Sequence, residues 1–197
     1  MGAGGMIERN DITLLGGDQW ATLEQVSAMV DHLIGEVAEV GVYRGGSALF
    51  WCQRFPNQQI VLIDTFEGIP NTSRVELDGH PPGDFAASYD EVKALLPANA
   101  ELHKMVYPPD YGQDPLNGRM VKLLHLDVDI YWSVAKALEV NWDRMVGGGV
   151  VLVDDYNASS CQGTQQALNE FAEKHRIPIH TAKGASPQAW IIKGENL

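Results

Sequence analysis

The sequence predicts an α/β fold in which a mostly parallel sheet carries helices on both faces. Short apolar runs of strand length alternate with longer segments whose apolar residues have helical spacing, a pattern typical of parallel strands joined by helices. The apolar runs are nearly continuous, as expected for strands that are buried on both faces. Two of these runs end in aspartates and a third ends in glycines, so polar groups are expected along one edge of the sheet.

The first part of the chain predicts an N-terminal helical segment, residues 1–34, and then one β-α-β unit. Thr22 and Gln25 have the spacing of a capping box, and Gly35 follows as a helix stop. The unit is expected to close as a right-handed parallel crossover. The elements predicted here are a helix over 22–34, a strand over 37–42, a helix from Gly46 and a strand over 60–64.

The segment 65–84 is rich in Gly, Pro, Asp and Asn and shows no periodicity. Loops of this length in compact domains are usually functional lids or disordered segments. We therefore expect a lid loop over the edge of the sheet. Asp84 is placed to cap a following helix, and residues 102–107 predict another short strand.

The second half of the chain alternates regularly between strands and helices. It predicts strands over 121–127, 149–154 and 177–181, and helices over 131–140 and 161–175. Only residues 182–187 precede the last apolar run, 188–192, which is too short a connection for a parallel crossover. The last strand must therefore run antiparallel to its neighbour. No linker or repeat divides the chain, so one domain over 1–197 is expected.

The composition of the chain disfavours some classes of binding partner and indicates a cellular compartment. The formal charge is −12 at pH 7, which disfavours binding to nucleic acid because phosphate contacts need clustered Lys and Arg. Cys52 and Cys161 lie in predicted helices and suggest reduced thiols. The N-terminus lacks the features of a signal peptide, and no run approaches the roughly 20 apolar residues of a membrane span. We expect a cytoplasmic protein with neither a nucleic acid nor a membrane partner.

Two acidic clusters follow two of the predicted strands. The first strand ends in Asp127 and Asp129, and the second ends in Asp154 and Asp155. Because the carboxyl ends of parallel strands meet at one edge of a sheet, these carboxylates are expected to lie together. Carboxylate oxygens are the ligands that a hard divalent cation such as Mg2+ prefers. The pattern therefore predicts a cation site.

A glycine turn and a single acid indicate a nucleoside pocket at the same edge. Gly41, Gly45 and Gly46 follow the first strand, where missing side chains let the backbone approach a ligand. Asp64 ends the next strand, where a carboxylate can bind the two hydroxyls of a ribose. The chain has neither a Gly-x-Gly-x-x-Gly fingerprint nor a P-loop, and Glu39 would repel a phosphate. A cationic nucleoside without phosphate, S-adenosylmethionine, fits these features.

Four blocks in this order resemble the class I S-adenosylmethionine methyltransferases, and among them the macrocin O-methyltransferase family. The blocks are 39–46, 61–70, 126–131 and 147–156. The resemblance implies a Rossmann-like, seven-stranded sheet with an antiparallel last strand. It also implies Mg2+ held by Asp127, Asp154 and Asp155, and methyl transfer to hydroxyls of sugars or vicinal diols in natural products. Dimers are common in that family, so a homo-oligomer such as a dimer is a possible state of this chain.

The resemblance and the glycine turn together select the residues expected to bind the cofactor. Glu39, Gly41 and Asp64 are the contacts that the resemblance implies, and aromatic residues nearby are candidates to line the pocket. The full expected set is Glu39, Gly41, Tyr43, Arg44, Gly45, Ser47, Asp64, Thr65, Phe66, Asp84 and Phe85.

For catalysis, Asp127 and Asp129 are the candidates nearest in sequence to accept the proton of an acceptor hydroxyl. Asp129 has a competing interpretation as the cap of the helix that follows. His125 is interpreted as a packed histidine rather than a base, and His80 as a candidate on the lid.

Two other functions remain open from the sequence. A haloacid-dehalogenase-like phosphatase also uses strands ending in Asp-x-Asp and Asp-Asp, but the spacing here leaves no room for its remaining motifs. A nucleoside-binding domain without turnover is the second alternative.

Overall fold

The computed structural model describes residues 12–71, 79–110, 112–184 and 186–197. Seven strands form one sheet in the order β3-β2-β1-β4-β5-β7-β6. The strands are β1 Glu36–Val40, β2 Ile60–Asp64, β3 Ala100–Lys104, β4 Val121–Leu126, β5 Met145–Val153, β6 His180–Thr181 and β7 Ala189–Ile192. The helices are α1 Gly17–Val30, α2 Gly46–Arg54, α3 Tyr89–Leu95, α4 Tyr131–Asn141 and α5 Gln162–His175, with a 3-10 turn at Trp142–Arg144.

The sheet has the predicted mixture of directions. Strands β1 to β5 pair in parallel, whereas β7 pairs antiparallel with both β5 and β6. The prediction of an antiparallel last strand is confirmed, because the short connection after β6 allows only a reversal. The strand order reverses between β1 and β4, where α/β folds commonly open a ligand crevice.

Helices cover both faces of the sheet, as predicted. Buried side chains of α1 and α2 pack on one face around the fully buried Trp51. Side chains of α4 and α5 pack on the other face around Leu138 and Leu168. The central strand β4 is buried along its whole length, so its carboxyl end reaches the site from a rigid base.

The first helix differs from its prediction. It begins at Gly17 rather than at Thr22 and ends at Val30. The cap is formed by Gln19, whose Oε1 accepts a hydrogen bond from the Gly16 amide at 2.9 Å. The Thr22 hydroxyl donates instead to the Asp18 carbonyl at 3.1 Å. The predicted capping box at Thr22 is wrong because the helix continues through it, and a threonine in a helix interior commonly bonds back to the preceding turn.

Two other predictions of helix caps are also wrong. Ser88 caps α3, since its Oγ accepts from the Glu91 amide at 3.3 Å, and Asp84 lies outside that helix. The residue at the N-cap of α4 is Ile130, with no side-chain cap, so Asp129 does not cap this helix. Part of the predicted lid, 72–78, lies outside the described residues.

Candidate active site

The carboxyl ends of β1, β2, β4 and β5 surround a cavity of about 350 Å³. Backbone hydrogen bonds continue past the strands, from the Asp127 amide to the Val40 carbonyl and from the Asp154 amide to the Leu126 carbonyl, each at 2.9 Å. These bonds hold the first acid of each cluster beside the end of the neighbouring strand. The expected meeting of the two acidic clusters at one edge is confirmed.

The glycine turn after β1 serves the packing of the protein itself. Gly41 has a φ of +91°, and a Cβ there would overlap the carbonyl oxygen of Asp127. A Cβ at Gly46 would overlap the side chain of Thr13 in the segment before α1. The position that a Cβ would take is thus filled by protein atoms at both glycines, while Gly41 and Gly46 themselves line the cavity.

Asp64 joins the loops that follow β1 and β2. Its Oδ2 accepts from the amides of Val42 at 2.6 Å and Tyr43 at 2.9 Å, and its Oδ1 accepts from the amide of Phe66 at 2.6 Å. Each carboxylate oxygen can accept about two hydrogen bonds. Oδ1 therefore retains capacity for a ligand hydroxyl, and Asp64 lines the cavity.

A buried ionic chain runs behind the cavity. His125 lies between Glu39 and Asp154, with Nδ1 at 2.8 Å from Glu39 Oε1 and Nε2 at 3.3 Å from Asp154 Oδ2. All three side chains are buried. Burial alone would lower the pKa of His125, but the hydrogen bonds and charges of Asp154 and Glu39 outweigh it and raise this pKa to about 10. His125 is therefore an imidazolium that donates from both nitrogens.

The protonated histidine also explains the role of Trp51. Its indole N–H lies at 3.3 Å from Glu39 Oε1 and at 3.4 Å from His125 Nδ1. A protonated Nδ1 cannot accept, so the indole donates to Glu39. The other oxygen of Glu39, Oε2, is buried and has no hydrogen-bond partner among the described residues.

Among the described acids of the site, Asp154 accepts the most hydrogen bonds. Its Oδ1 accepts from Gln19 Nε2 at 3.0 Å and from the Asp155 amide at 3.1 Å. Its Oδ2 accepts from Gln188 Nε2 at 2.8 Å and from His125. Burial would raise the pKa of Asp154, but the bonds from His125, Gln188 and Gln19 prevail and lower it. Asp154 is thus a fixed carboxylate.

The remaining three acids form a crowded group in the cavity. Oxygen atoms of Asp127, Asp129 and Asp155 lie within 4.8 Å of one another, and Asp127 also belongs to a second such group with His125 and Asp154. Burial and the neighbouring Asp154 charge raise the pKa of Asp127 well above its usual range. The same causes raise the pKa of Asp155 to about 8. Such a group favours a cation.

The expected cofactor residues divide into two sets. Six line the cavity, namely Gly41, Tyr43, Ser47, Asp64, Thr65 and Phe85. The other five, Glu39, Arg44, Gly45, Phe66 and Asp84, are not part of its lining. Gly45 packs under side chains of α3, and Phe66 is buried against the ring of Tyr89. Asp84 faces His80 at 3.7 Å.

Backbone strain is concentrated around this cavity. Of the six described non-glycine residues with positive φ, five belong to the site or its border: Tyr43, Phe66, Phe85, Asp129 and Asp155. Such conformations cost on the order of 1–3 kcal/mol each and are typical of functional sites.

Sequence reasoning missed the ionic role of His125 and the contribution of the N-terminal segment. The register of β1 and β4 was the signal for the role of His125. Glu39 lies two residues before Gly41, His125 lies two residues before Asp127, and Glu39 and His125 are paired between the two strands. Thr13 and Leu14 line the cavity from a segment without periodicity, so no comparable signal exists for them.

None of the described helices is long and apolar enough to span a membrane.

Comparison with known proteins identifies a family. The family described as Macrocin-O-methyltransferase (TylF) matches residues 8–183 of the chain. A tetracenomycin-type rhamnosyl 4'-O-methyltransferase of Streptomyces olivaceus is 28% identical, over 80% of this chain and 66% of the relative. Mycinamicin III 3''-O-methyltransferase of Micromonospora griseorubida is 24% identical, over 77% of this chain and 65% of the relative. The chain thus spans slightly less than two thirds of these relatives.

A solved structure supports the fold. The O-methyltransferase NovP superposes with a TM-score of 0.77 at 20% identity, covering 94% of this chain and 83% of NovP. Because the family match extends over residues 8–183, which is most of the chain, the chain belongs to the macrocin O-methyltransferase family.

Proposed function

We propose that this protein transfers the methyl group of S-adenosylmethionine to a hydroxyl of a small natural-product-type acceptor, such as a sugar or a vicinal diol, with assistance from a divalent cation. The single observation that carries the proposal is the cavity that joins a nucleoside-type half, around Gly41 and Asp64, to a carboxylate half, around Asp127 and Asp155. Family membership supports the same reaction, since two relatives are named as O-methyltransferases.

The residues of the first half suit the cofactor. Asp64 lines the cavity and retains acceptor capacity on Oδ1 for a ribose hydroxyl. Glu39 lies outside the cavity lining, so its buried carboxylate would favour a cationic cofactor through its charge rather than through a direct contact. Ser47, Tyr43 and Phe85 supply a hydroxyl and two aromatic walls.

The residues of the second half suit a hard cation. Carboxylate oxygens of Asp127, Asp129 and Asp155 lie within 4.8 Å of one another, and a positive charge would relieve their mutual repulsion. Asp127 and Asp155 are the proposed ligands, with Asp154 as the third, which would exchange one hydrogen bond for the cation because each of its oxygens already accepts two. The remaining hydrogen bonds to Asp154 would fix its position relative to the other two.

Bound S-adenosylmethionine supplies an electrophilic methyl group, and a bound divalent cation lowers the pKa of a coordinated hydroxyl. Asp129 or Asp127 would accept the proton that the acceptor hydroxyl gives up when its oxygen takes the methyl group from the sulfur. The residues that line the cavity would position the two reactants relative to each other, and positioning would supply much of the acceleration.

Calorimetric titration of S-adenosylhomocysteine, with and without Mg2+, tests this proposal. We expect binding well below millimolar concentrations, whereas absence of such binding would contradict a methyltransferase. Asp127→Ala should abolish Mg2+-dependent methyl transfer to a panel of vicinal-diol glycosides while changing the affinity for S-adenosylhomocysteine only slightly. Asp143→Ala is the matched control, because Asp143 is fully exposed and lies near the start of β5, away from the cavity.

The same experiment separates the alternatives. Binding of S-adenosylhomocysteine without turnover of any acceptor would favour a nucleoside-binding domain. Phosphatase activity that ignores this ligand would favour the dehalogenase-like enzyme. A dimeric state and a cytoplasmic location remain predictions, of which the first is checked by light scattering.

A further inference from the structure

A second group of side chains that could bind a metal lines the same cavity, beside the carboxylates of Asp127 and Asp155. Atoms of His80, Asp129 and Cys161 lie within 4.8 Å of one another, and all three residues line the cavity. Cys161 Sγ is 3.6 Å from Asp129 Oδ1, which is within hydrogen-bond range for sulfur. The three residues come from the loop before α3, the end of β4 and the start of α5.

A backbone contact brings the histidine and the cysteine together. The Gly79 amide donates to the Ser160 carbonyl at 2.8 Å, so the residues adjacent to His80 and Cys161 are bonded to each other. A Cβ at Gly79 would lie 2.7 Å from that carbonyl oxygen, and therefore only glycine allows this approach without a shift. The pairing of His80 with Cys161 is thus built into the described backbone.

The histidine also has the supporting contacts of a metal ligand. Its Nδ1 lies 3.7 Å from Asp84 Oδ2, which is within ion-pair range but beyond hydrogen-bond distance. The ring of Phe85 packs edge-on against the imidazole at 4.9 Å. Histidines that bind metals almost always have their second nitrogen directed to a carboxylate or carbonyl. Asp84 is the nearby carboxylate that could take this role once the His80 ring moves closer to it.

We propose that His80, Asp129 and Cys161 form a metal site for a borderline or soft divalent cation such as Zn2+, which shares Asp129 with the group of three acids but adds a nitrogen and a sulfur donor. One nitrogen, one sulfur and one oxygen donor suit Zn2+ and Co2+, whereas Mg2+ requires oxygen ligands. Three protein ligands leave a fourth position open toward the cavity. The Cys161 thiol releases its proton to the buffer as the sulfur–metal bond forms.

The test uses Co2+ as a coloured probe of the full chain in excess Mg2+, with neither cofactor nor acceptor present. We expect one equivalent of Co2+ to bind with a thiolate-to-cobalt charge-transfer band, and Zn2+ to displace it. Cys161→Ser should remove the band and weaken Zn2+ binding at least tenfold. Cys52→Ser is the matched control, since Cys52 is the other buried cysteine and lies in α2, outside the cavity lining.

Two further variants keep the test decisive if Cys161→Ser fails to fold. His80→Ala changes a partly exposed loop residue and should weaken Zn2+ binding at least tenfold while retaining the thiolate band. Asp84→Asn removes the negative charge beside the imidazole of His80 and should weaken Zn2+ binding roughly 10-fold. The proposal is overturned if excess Mg2+ prevents Co2+ uptake, if the band survives Cys161→Ser, or if His80→Ala binds Zn2+ as tightly as the native chain.

One consequence rests on the proposed function. Asp129 would belong both to this site and to the proton-accepting acids, so Zn2+ should inhibit methyl transfer. Inhibition in Cys161→Ser should require at least tenfold more Zn2+ than in Cys52→Ser. Because metal uptake is measured without any turnover, a chain that lacks methyltransferase activity would still confirm or overturn the site.

Discussion

At the scale of single residues, the most consequential contact is the one between His125 and two buried carboxylates. One imidazolium neutralises part of the charge of Glu39 and Asp154 and connects the strand beneath the nucleoside half to the strand beneath the acidic half. Removing one member of a buried ionic group leaves charges without compensation, which is strongly destabilising. His125 thus supports both halves of the site without lining the cavity.

His125→Gln is expected to lower the free energy of unfolding by about 3–5 kcal/mol, because two buried carboxylates then lose their cation. Urea denaturation of the ligand-free chain measures this change. His103→Gln is the control, since His103 pairs with Glu101 at 2.9 Å on the edge strand β3 with both side chains about 30% exposed. Its loss should stay below about 1 kcal/mol. Equal losses for the two variants would contradict the ionic role of His125.

Gly41→Ala should lower the free energy of unfolding by about 3 kcal/mol, because the new Cβ overlaps the Asp127 carbonyl and the backbone is held at φ +91°. Gly118→Ala separates the two causes, since Gly118 has φ +75° with no atom within 4 Å of the added carbon. Its loss should be about 1 kcal/mol, from backbone strain alone. Chemical denaturation of both variants checks the difference, and a Gly41 variant no weaker than the Gly118 variant would contradict the close approach.

At the scale of elements, the site depends on how each helix is joined to the strand beside it. The end of α2 is closed by Asn99, whose Nδ2 lies 3.1–3.3 Å from the carbonyls of Cys52, Phe55 and Gln58. The Asn99 carbonyl also accepts from the Ile60 amide at 2.9 Å, at the start of β2. Asn99 therefore fixes the turn between α2 and β2 with its side chain and joins the start of β2 with its backbone carbonyl.

Asn99→Ala should lower the free energy of unfolding by about 2 kcal/mol, because carbonyls at the end of α2 lose their donor. Thermal denaturation followed by circular dichroism measures the effect. Asn196→Ala serves as the comparison, since Asn196 is exposed and its only described bond is a 3.5 Å contact to Gly194. A comparable loss at both positions would show that the closure of α2 contributes little.

At the scale of the whole molecule, ligands bind between elements that are distant in sequence, so they should stabilise the entire fold. At a concentration about 100 times its dissociation constant, S-adenosylhomocysteine should add about 2.7 kcal/mol. For a chain of this size that corresponds to a rise in Tm of roughly 5–10 °C. Differential scanning calorimetry without divalent cations gives this shift, with adenosine monophosphate as a control ligand because the carboxylates of Asp127, Asp129 and Asp155 in the cavity would repel its phosphate. A larger rise in Tm with adenosine monophosphate than with S-adenosylhomocysteine would contradict the proposed cofactor pocket.

Local sequence patterns predicted much of this structure. Strand β2 was predicted with its observed bounds, and α2, α4 and α5 were predicted to within about two residues, because apolar periodicity and chain breakers act locally. Helix α1 began five residues earlier than predicted, because Gly16 and Gln19 form its cap. Strand β5 also began earlier, at Met145, since a run of three glycines hid its first residues.

What the sequence determined by itself was the fold class, the family and the acids at the strand ends. These follow from short-range patterns, since a strand that stops at an aspartate presents it at the sheet edge in any parallel arrangement. Only the tertiary structure decided which acids are paired. Glu39 and His125 are 86 residues apart in the chain, and His125 and Asp154 are 29 apart. Their contacts exist because β4 pairs with β1 on one side and with β5 on the other, a register that no local pattern specifies.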